Sequence, residues 1–137
     1  MFAIIYKQNL EAVDWVEMKE TLRRDNFDNG RMAAQLKASF ENSAVTCIAY
    51  ADGRIIGTVR ALSDGVCNAY VVDVWTLSEY RHQGFASTMM RLVLEKLPGQ
   101  HVYLFTDEAA DFYRKLGFKE QGIGLSLVVG QWLVNES

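Results

Sequence analysis

Arg81-His82-Gln83-Gly84-Phe85-Ala86 decides how this chain is read, because it stands between a β-favouring run and an amphipathic helix. Upstream, Ala69 to Thr76 contains the continuous Tyr70-Val71-Val72 run expected of a strand buried on both faces. Downstream, Ala86, Met89, Met90, Val93, Leu94 and Leu97 recur at the spacing of one helix face, and Pro98-Gly99 stops the helix. A strand-loop-helix of this kind aims backbone N–H groups and the positive helix end at an anion such as a pyrophosphate. Gly84 removes the side chain where a phosphate must approach, and Ala86 is small where helix and strand pack. A short glycine pattern also recurs merely to ease a turn, so the rest of the chain must decide.

Working outward, Val45 to Ala51 and Ile55 to Leu62 are strands joined by the two-residue turn Asp52-Gly53, and Ser63-Asp64-Gly65 turns the chain into the Ala69 strand. Phe2 to Lys7 is a short strand, and Asn9 caps a first helix carrying Leu10, Val13, Val16 and Leu22. A second helix starts near Asp28-Asn29-Gly30, with Met32, Leu36 and Phe40 as its apolar stripe. Val102 to Thr106 is a further strand. Ala109, Phe112, Tyr113 and Leu116 form one face of a short helix closed by Gly117, and Leu125 to Val134 is a last strand broken by Gly130. The order β-α-α-β-β-β-α-β-α-β-β predicts an α/β fold with a mixed sheet around one strand-loop-helix unit.

The 137 residues fit a single domain spanning 1–137, given roughly 100–200 residues per domain. Half of the residues are hydrophobic and only one is proline, which supplies a core and excludes a disordered composition. With a formal net charge of -3 and no basic tract, nothing forms the phosphate-neutralising stripe of a nucleic-acid binder. Cys47 and Cys67 lack CxxC spacing and are read as small core hydrophobes of a reducing compartment, and His82 and His101 stand apart from both, so no metal site is expected. No apolar run approaches the roughly 20 residues that span a membrane, and Met1-Phe2-Ala3-Ile4-Ile5 begins with strand-like residues, from which a cytoplasmic location is expected.

Two segments carry a resemblance. Arg81 to Ala86 resembles the Q/R-x-x-G-x-G/A pattern of the GNAT acyltransferases, and Phe112-Tyr113-Arg114-Lys115-Leu116-Gly117-Phe118 resembles their second signature, F-Y-x-K-x-G-F. The resemblance implies the GNAT-type fold, a mixed and mostly antiparallel sheet flanked by helices, with acetyl-CoA as co-substrate. It implies that backbone groups of Arg81, His82, Gln83, Gly84, Phe85, Ala86 and Ser87 hold the pyrophosphate and that Val74 and Thr76 pair with pantetheine. It further implies a strand bulge that leaves the Val74 N–H to polarise the thioester carbonyl. Tyr113 matches the tyrosine that protonates or positions the departing thiolate, a task a phenol suits; the alternative is an aromatic core residue beside Phe112. The resemblance also sets Thr106 against CoA, at a position where members often carry asparagine.

Asp73 is a lone carboxylate in an apolar strand, where an unpaired charge is costly. Beside a thioester it would bind an ammonium and relay its proton; alternatively it is held by Arg54 or Arg60. Asn68 and Tyr70 are further acceptor-side candidates. Trp15, Phe27, Phe40 and Trp75 either line an acceptor pocket or fill the core, and Asp25, Asp28 and Glu41 either guide a cation or end helices in solvent. Arg60-Ala61-Leu62-Ser63-Asp64 and Asn68 to Val74 also resemble the plastid and cyanobacterial-type arylalkylamine N-acetyltransferases, which implies a small, aromatic or other primary amine as acceptor. The apolar tail pairs either within the chain or across a homodimer. Two functions remain open from sequence: direct acetyl transfer to an amine, and a non-catalytic acyl-CoA-binding module.

Overall fold

A computed structural model describes residues 3–134, so Met1 and Phe2 of the expected first strand lie outside the described residues. The chain divides into two compact units, Met1–Leu104 and Phe105–Ser137.

The first unit holds β1 (Ile4–Lys7), α1 (Trp15–Arg24), α2 (Ala33–Glu41), β2 (Val45–Ala51), β3 (Arg54–Ser63), β4 (Asn68–Thr76), α3 (Phe85–Leu94) and β5 (His101–Tyr103). The strands form one sheet in the order β1-β2-β3-β4-β5. Each neighbouring pair is antiparallel except β4 with β5, which is parallel. This is the mixed, mostly antiparallel sheet flanked by helices that the sequence leads one to expect. Asp52 and Gly53 both take positive φ, as a two-residue hairpin turn between right-twisted strands requires. At the next turn the Asp64 carboxylate accepts the N–H groups of Val66, Cys67 and Asn68, which holds it below the usual carboxylate range.

The core joins Ile48, Ile55, Ile56 and Val59 of the sheet to Met18 and Leu22 of α1, Leu36 and Phe40 of α2, and Met89, Met90 and Val93 of α3. Full burial of such a side chain stabilises by about 1.5–3 kcal/mol, so the helix stripes hold the helices to the sheet. Gly57 marks a close approach of sheet and α3: a β-carbon there would lie 2.7 Å from the Met89 methyl group.

Both early helices begin later than expected. Asn9 accepts the Glu11 N–H in a local turn, Ala12 takes positive φ, and the cap of α1 is Asp14, whose carboxylate accepts the Glu17 N–H at 2.9 Å. Asn29 and Gly30 take positive φ, so α2 starts at Ala33 and leaves Met32 exposed. Cys47 is buried as expected, whereas Cys67 is exposed, because it lies in the Asp64 turn ahead of β4.

The second unit contains α4 (Ala110–Lys115). Thr106 Oγ1 accepts the Ala109 N–H at its start. Its end is a complete Schellman closure: Gly117 N–H donates to Arg114 O and Phe118 N–H to Tyr113 O, with Gly117 at φ 103°. The expected last strand is absent among the described residues. Ile123, Leu125, Leu127 and Val129 are exposed, and an edge strand exists only where a partner completes its hydrogen-bond ladder.

Candidate active site

The feature that sets β4 apart is a bulge. Thr58 pairs with Trp75 and Arg60 with Val72, so Asp73 and Val74 together oppose the single residue Val59. Asp73 takes φ 55°, left-handed and rare outside glycine, although aspartate tolerates it better than most. Among the described residues β5 pairs with β4 only at Asn68, Ala69 and Tyr70. From Val71 onward the β4 edge away from β3 therefore has no β5 partner, and the bulge lies on that stretch.

Asp73 is held on both sides. Its Oδ2 accepts from Arg31 Nη1 and from Arg60 Nε, each at 2.7 Å, and all three side chains are largely buried. Arg31 comes from the α1–α2 loop, where its guanidinium also donates to Asp28 O and Phe27 O. Arg60 was one of the two partners considered from sequence; Arg31 was not, because its neighbours in sequence read as a helix start. The three charges leave this cluster with a net positive charge, and a carboxylate bound by two guanidiniums has little left to offer an incoming ammonium. Thr58 Oγ1, buried, donates to Asp73 O at 2.8 Å.

Beyond β4 a 3₁₀ turn, Ser78–Tyr80, leads to the exposed stretch Arg81 to Gly84. His82 and Gly84 both take positive φ, and Gly84 caps α3 without any side-chain cap. The first N–H groups of α3 thus lack a side-chain acceptor, and a β-carbon at Gly84 would meet nothing within 4 Å. Such an end has the chemistry to receive phosphate oxygens, so residues 81–87 fit the pyrophosphate of a CoA thioester. The Arg81 side chain turns back instead, donating to Thr76 O at 3.0 Å and to Asp25 Oδ2 at 3.3 Å. Thr76 Oγ1 is buried with no hydrogen-bond partner, a polar atom awaiting one next to this loop.

Asp25 gathers three donors, from Trp75 Nε1, Ser78 Oγ and Arg81. It thereby ties the end of α1 to the strand and loop that carry the candidate site, a role that neither a cation guide nor a solvated helix end describes. Asp28 is paired with Lys19, which lowers its pKa through the hydrogen bond. Phe27 stacks on Trp75, and Trp15 packs against Phe40. Trp75 and Phe40 are buried, so they are core. Asn68 and Tyr70 are exposed at the β4–β5 pairing.

In the second unit Tyr113 is buried, with edge-on contacts to Phe112 and Phe118. Burial raises its pKa above the usual value of about 10, which keeps the phenol protonated and able to donate at neutral pH.

A family model described as "Acetyltransferase (GNAT) family" matches residues 8–118. The chain is 30% identical over 106 residues to histone acetyltransferase TAP1 of Glycine max, covering 69% of this chain and 46% of that protein. It is 35% identical over 77 residues to GCN5-related N-acetyltransferase 2, chloroplastic, of Arabidopsis thaliana, covering 53% of this chain and 30% of that protein. The chain therefore spans less than half the length of these two relatives. The solved structure of a GNAT-family acetyltransferase from Streptococcus pneumoniae TIGR4 shares the fold, with a TM-score of 0.74 at 24% identity over 94% of this chain and 100% of that one. Among the described residues no helix is long and apolar enough to cross a membrane.

Proposed function

The chain belongs to the GNAT acetyltransferase family, and from that premise we propose that it moves an acetyl group from acetyl-CoA to a primary amine by direct transfer. The observation that supports this reading best is the bulge at Asp73 and Val74, on a strand edge that leads directly into the uncapped start of α3. One element thus offers a backbone donor for a carbonyl and, a few residues on, a row of N–H groups for a pyrophosphate.

Acetyl-CoA brings the activated acetyl group as a thioester. The amine nitrogen bonds to the carbonyl carbon, the carbon–sulfur bond breaks, the amine gives up a proton and the thiolate takes one. Val74 N–H meets the negative charge that grows on the carbonyl oxygen. The family resemblance gives Tyr113 the role of proton donor to sulfur, and burial keeps its phenol protonated and able to donate. The backbone of His82 to Ser87 holds phosphate, and the backbone of Val74 and Thr76 pairs with pantetheine. We assign Asp73 to holding the bulge rather than to binding the amine, because Arg31 and Arg60 already occupy it.

For the acceptor we favour a small amine, including the arylalkylamines suggested by the Asn68 to Val74 stretch; a histone peptide enters the trial because one relative carries that name. Two measurements test the reading. Calorimetry is expected to show acetyl-CoA and CoA binding, with ATP and NAD inert; binding of ATP or NAD in preference would overturn it. Initial velocities against both substrates are expected to give intersecting reciprocal plots, whereas parallel plots would replace direct transfer with an acyl-enzyme.

A further inference from the structure

The direction of the Val74 N–H is set by a residue that does not touch it. A trans peptide is planar, with its C=O and N–H pointing in opposite directions. The N–H of Val74 and the C=O of Asp73 belong to one such plane, so whatever fixes the carbonyl aims the amide. Thr58 Oγ1 donates to that carbonyl at 2.8 Å from β3, and Thr58 is 1% exposed. The carbonyl therefore points back toward Thr58, and the N–H points away from β3, over the β4 edge where β5 pairing has ended.

A bulge leaves its peptide planes less constrained than a regular ladder does, and left-handed Asp73 adds strain that something must hold. The Asp73 side chain is clamped by Arg31 and Arg60, which restrains the Cα end of the plane. That leaves its rotation, and Thr58 is the group placed to stop it.

We infer that Thr58 is a positioning residue whose hydroxyl, by holding the Asp73 carbonyl, orients the Val74 N–H toward the acetyl carbonyl of bound acetyl-CoA. This rests on the proposed role of Val74 as oxyanion donor. It adds a residue on the neighbouring strand that makes no contact with the thioester. Valine at this position keeps the shape but removes the O–H and leaves the carbonyl unpaired; serine keeps the O–H.

The test is the amide resonance of Val74, followed in uniformly ¹⁵N-labelled protein on addition of CoA and, separately, of acetyl-CoA. Only acetyl-CoA carries the thioester carbonyl, so the difference between the two additions reports the hydrogen bond to that group. The wild type and Thr58→Ser are expected to show an acetyl-dependent downfield shift. Thr58→Val is expected to lose it while binding CoA within about twofold of the wild type, since the phosphate-facing loop is untouched. A Thr58→Val protein that keeps the full shift overturns the role of Thr58. A wild type that binds acetyl-CoA without any acetyl-dependent shift overturns the Val74 reading beneath it. Should valine prevent folding, Thr58→Cys, a weak S–H donor, is expected to show a shift smaller than that of serine, and an equal shift counts against the inference.

Discussion

Two glycines in left-handed conformation mark the two signature segments, and they do opposite work. Gly84 opens α3 and leaves its first N–H groups without a side-chain cap, whereas Gly117 closes α4 in a Schellman motif that satisfies the last carbonyls from within the chain. Around the second glycine, Phe118 packs edge-on against Tyr113, the hydrophobic contact that accompanies such a cap. The F-Y-R-K-L-G-F pattern is therefore explained almost entirely by helix closure and packing. The R-H-Q-G-F-A pattern is not: the side chains of Arg81 and Gln83 bond within the chain, but the pattern runs from an exposed loop into α3, whose first N–H groups have no side-chain cap. A recognisable motif can thus record folding in one place and ligand chemistry in another, and the difference is visible in whether its polar groups are satisfied.

The widest separation between the two segments is expected from charge. Gly84→Glu places a carboxylate at the start of α3 and should weaken acetyl-CoA binding by about a hundredfold, the scale of losing charge-assisted hydrogen bonds of about 1.5–3 kcal/mol. Gly84→Ala shares the backbone strain without the charge and should fall well short of that loss in the same calorimetry. Equal losses in the two variants would assign the effect to strain.

Next in size is the chemistry assigned to Tyr113. Tyr113→Phe should lower kcat by about tenfold or more, with acetyl-CoA affinity within twofold, because a proton donor acts in the transition state. An unchanged kcat at saturation would make this segment wholly structural. The pH dependence follows from the same burial. The folded-state pKa is raised above the unfolded value of about 10, so the stabilising contribution of the neutral phenol is complete below pH 10 and is lost as pH rises through the folded pKa. Removing the hydroxyl should flatten that part of the alkaline unfolding curve, and an unaltered curve would contradict it.

The smallest effect belongs to the second glycine. Gly117→Ala must place a β-carbon at φ 103°, with nothing nearby to clash, so the cost is backbone strain of about 1–2 kcal/mol. Thermal unfolding should shift down by a few degrees while acetyl-CoA affinity stays within twofold. A large loss of affinity would mean that this glycine, like Gly84, serves the ligand.

Much of the fold was legible because its signals are local. Asp52-Gly53 names its own turn, the Met89, Met90 and Val93 stripe names a buried helix face, and Gly117 names a helix end. The misreadings arise where a local signal competes with a neighbour. Asn9 is a good cap, but Asp14 is followed by the residues whose burial holds the helix down. The tail from Leu125 is apolar enough for a strand, yet a strand depends on a partner that sequence cannot supply. The candidate site was legible in its backbone parts through resemblance and in Asp73 through the cost of a lone charge. Arg31 and Thr58 were missed because their roles are long-range: Arg31 reaches Asp73 from 42 residues away and Thr58 from 15. A threonine inside Ile55-Ile56-Gly57-Thr58-Val59 was the one signal available, a hydroxyl in an apolar strand that needs an acceptor.

The central claim is that the chain carries out acetyl transfer as well as CoA binding. It is tested most directly by acetyl-CoA-dependent thiol release across arylalkylamines, polyamines, aminoglycosides, amino acids and peptides, with the product identified by mass. The account predicts that at least one amine elicits release, matched one for one by its N-acetylated form. Tight binding of acetyl-CoA with no acetylated amine anywhere in the panel would contradict it, and would leave a CoA-binding module in which the bulge at Val74 has no oxyanion to meet.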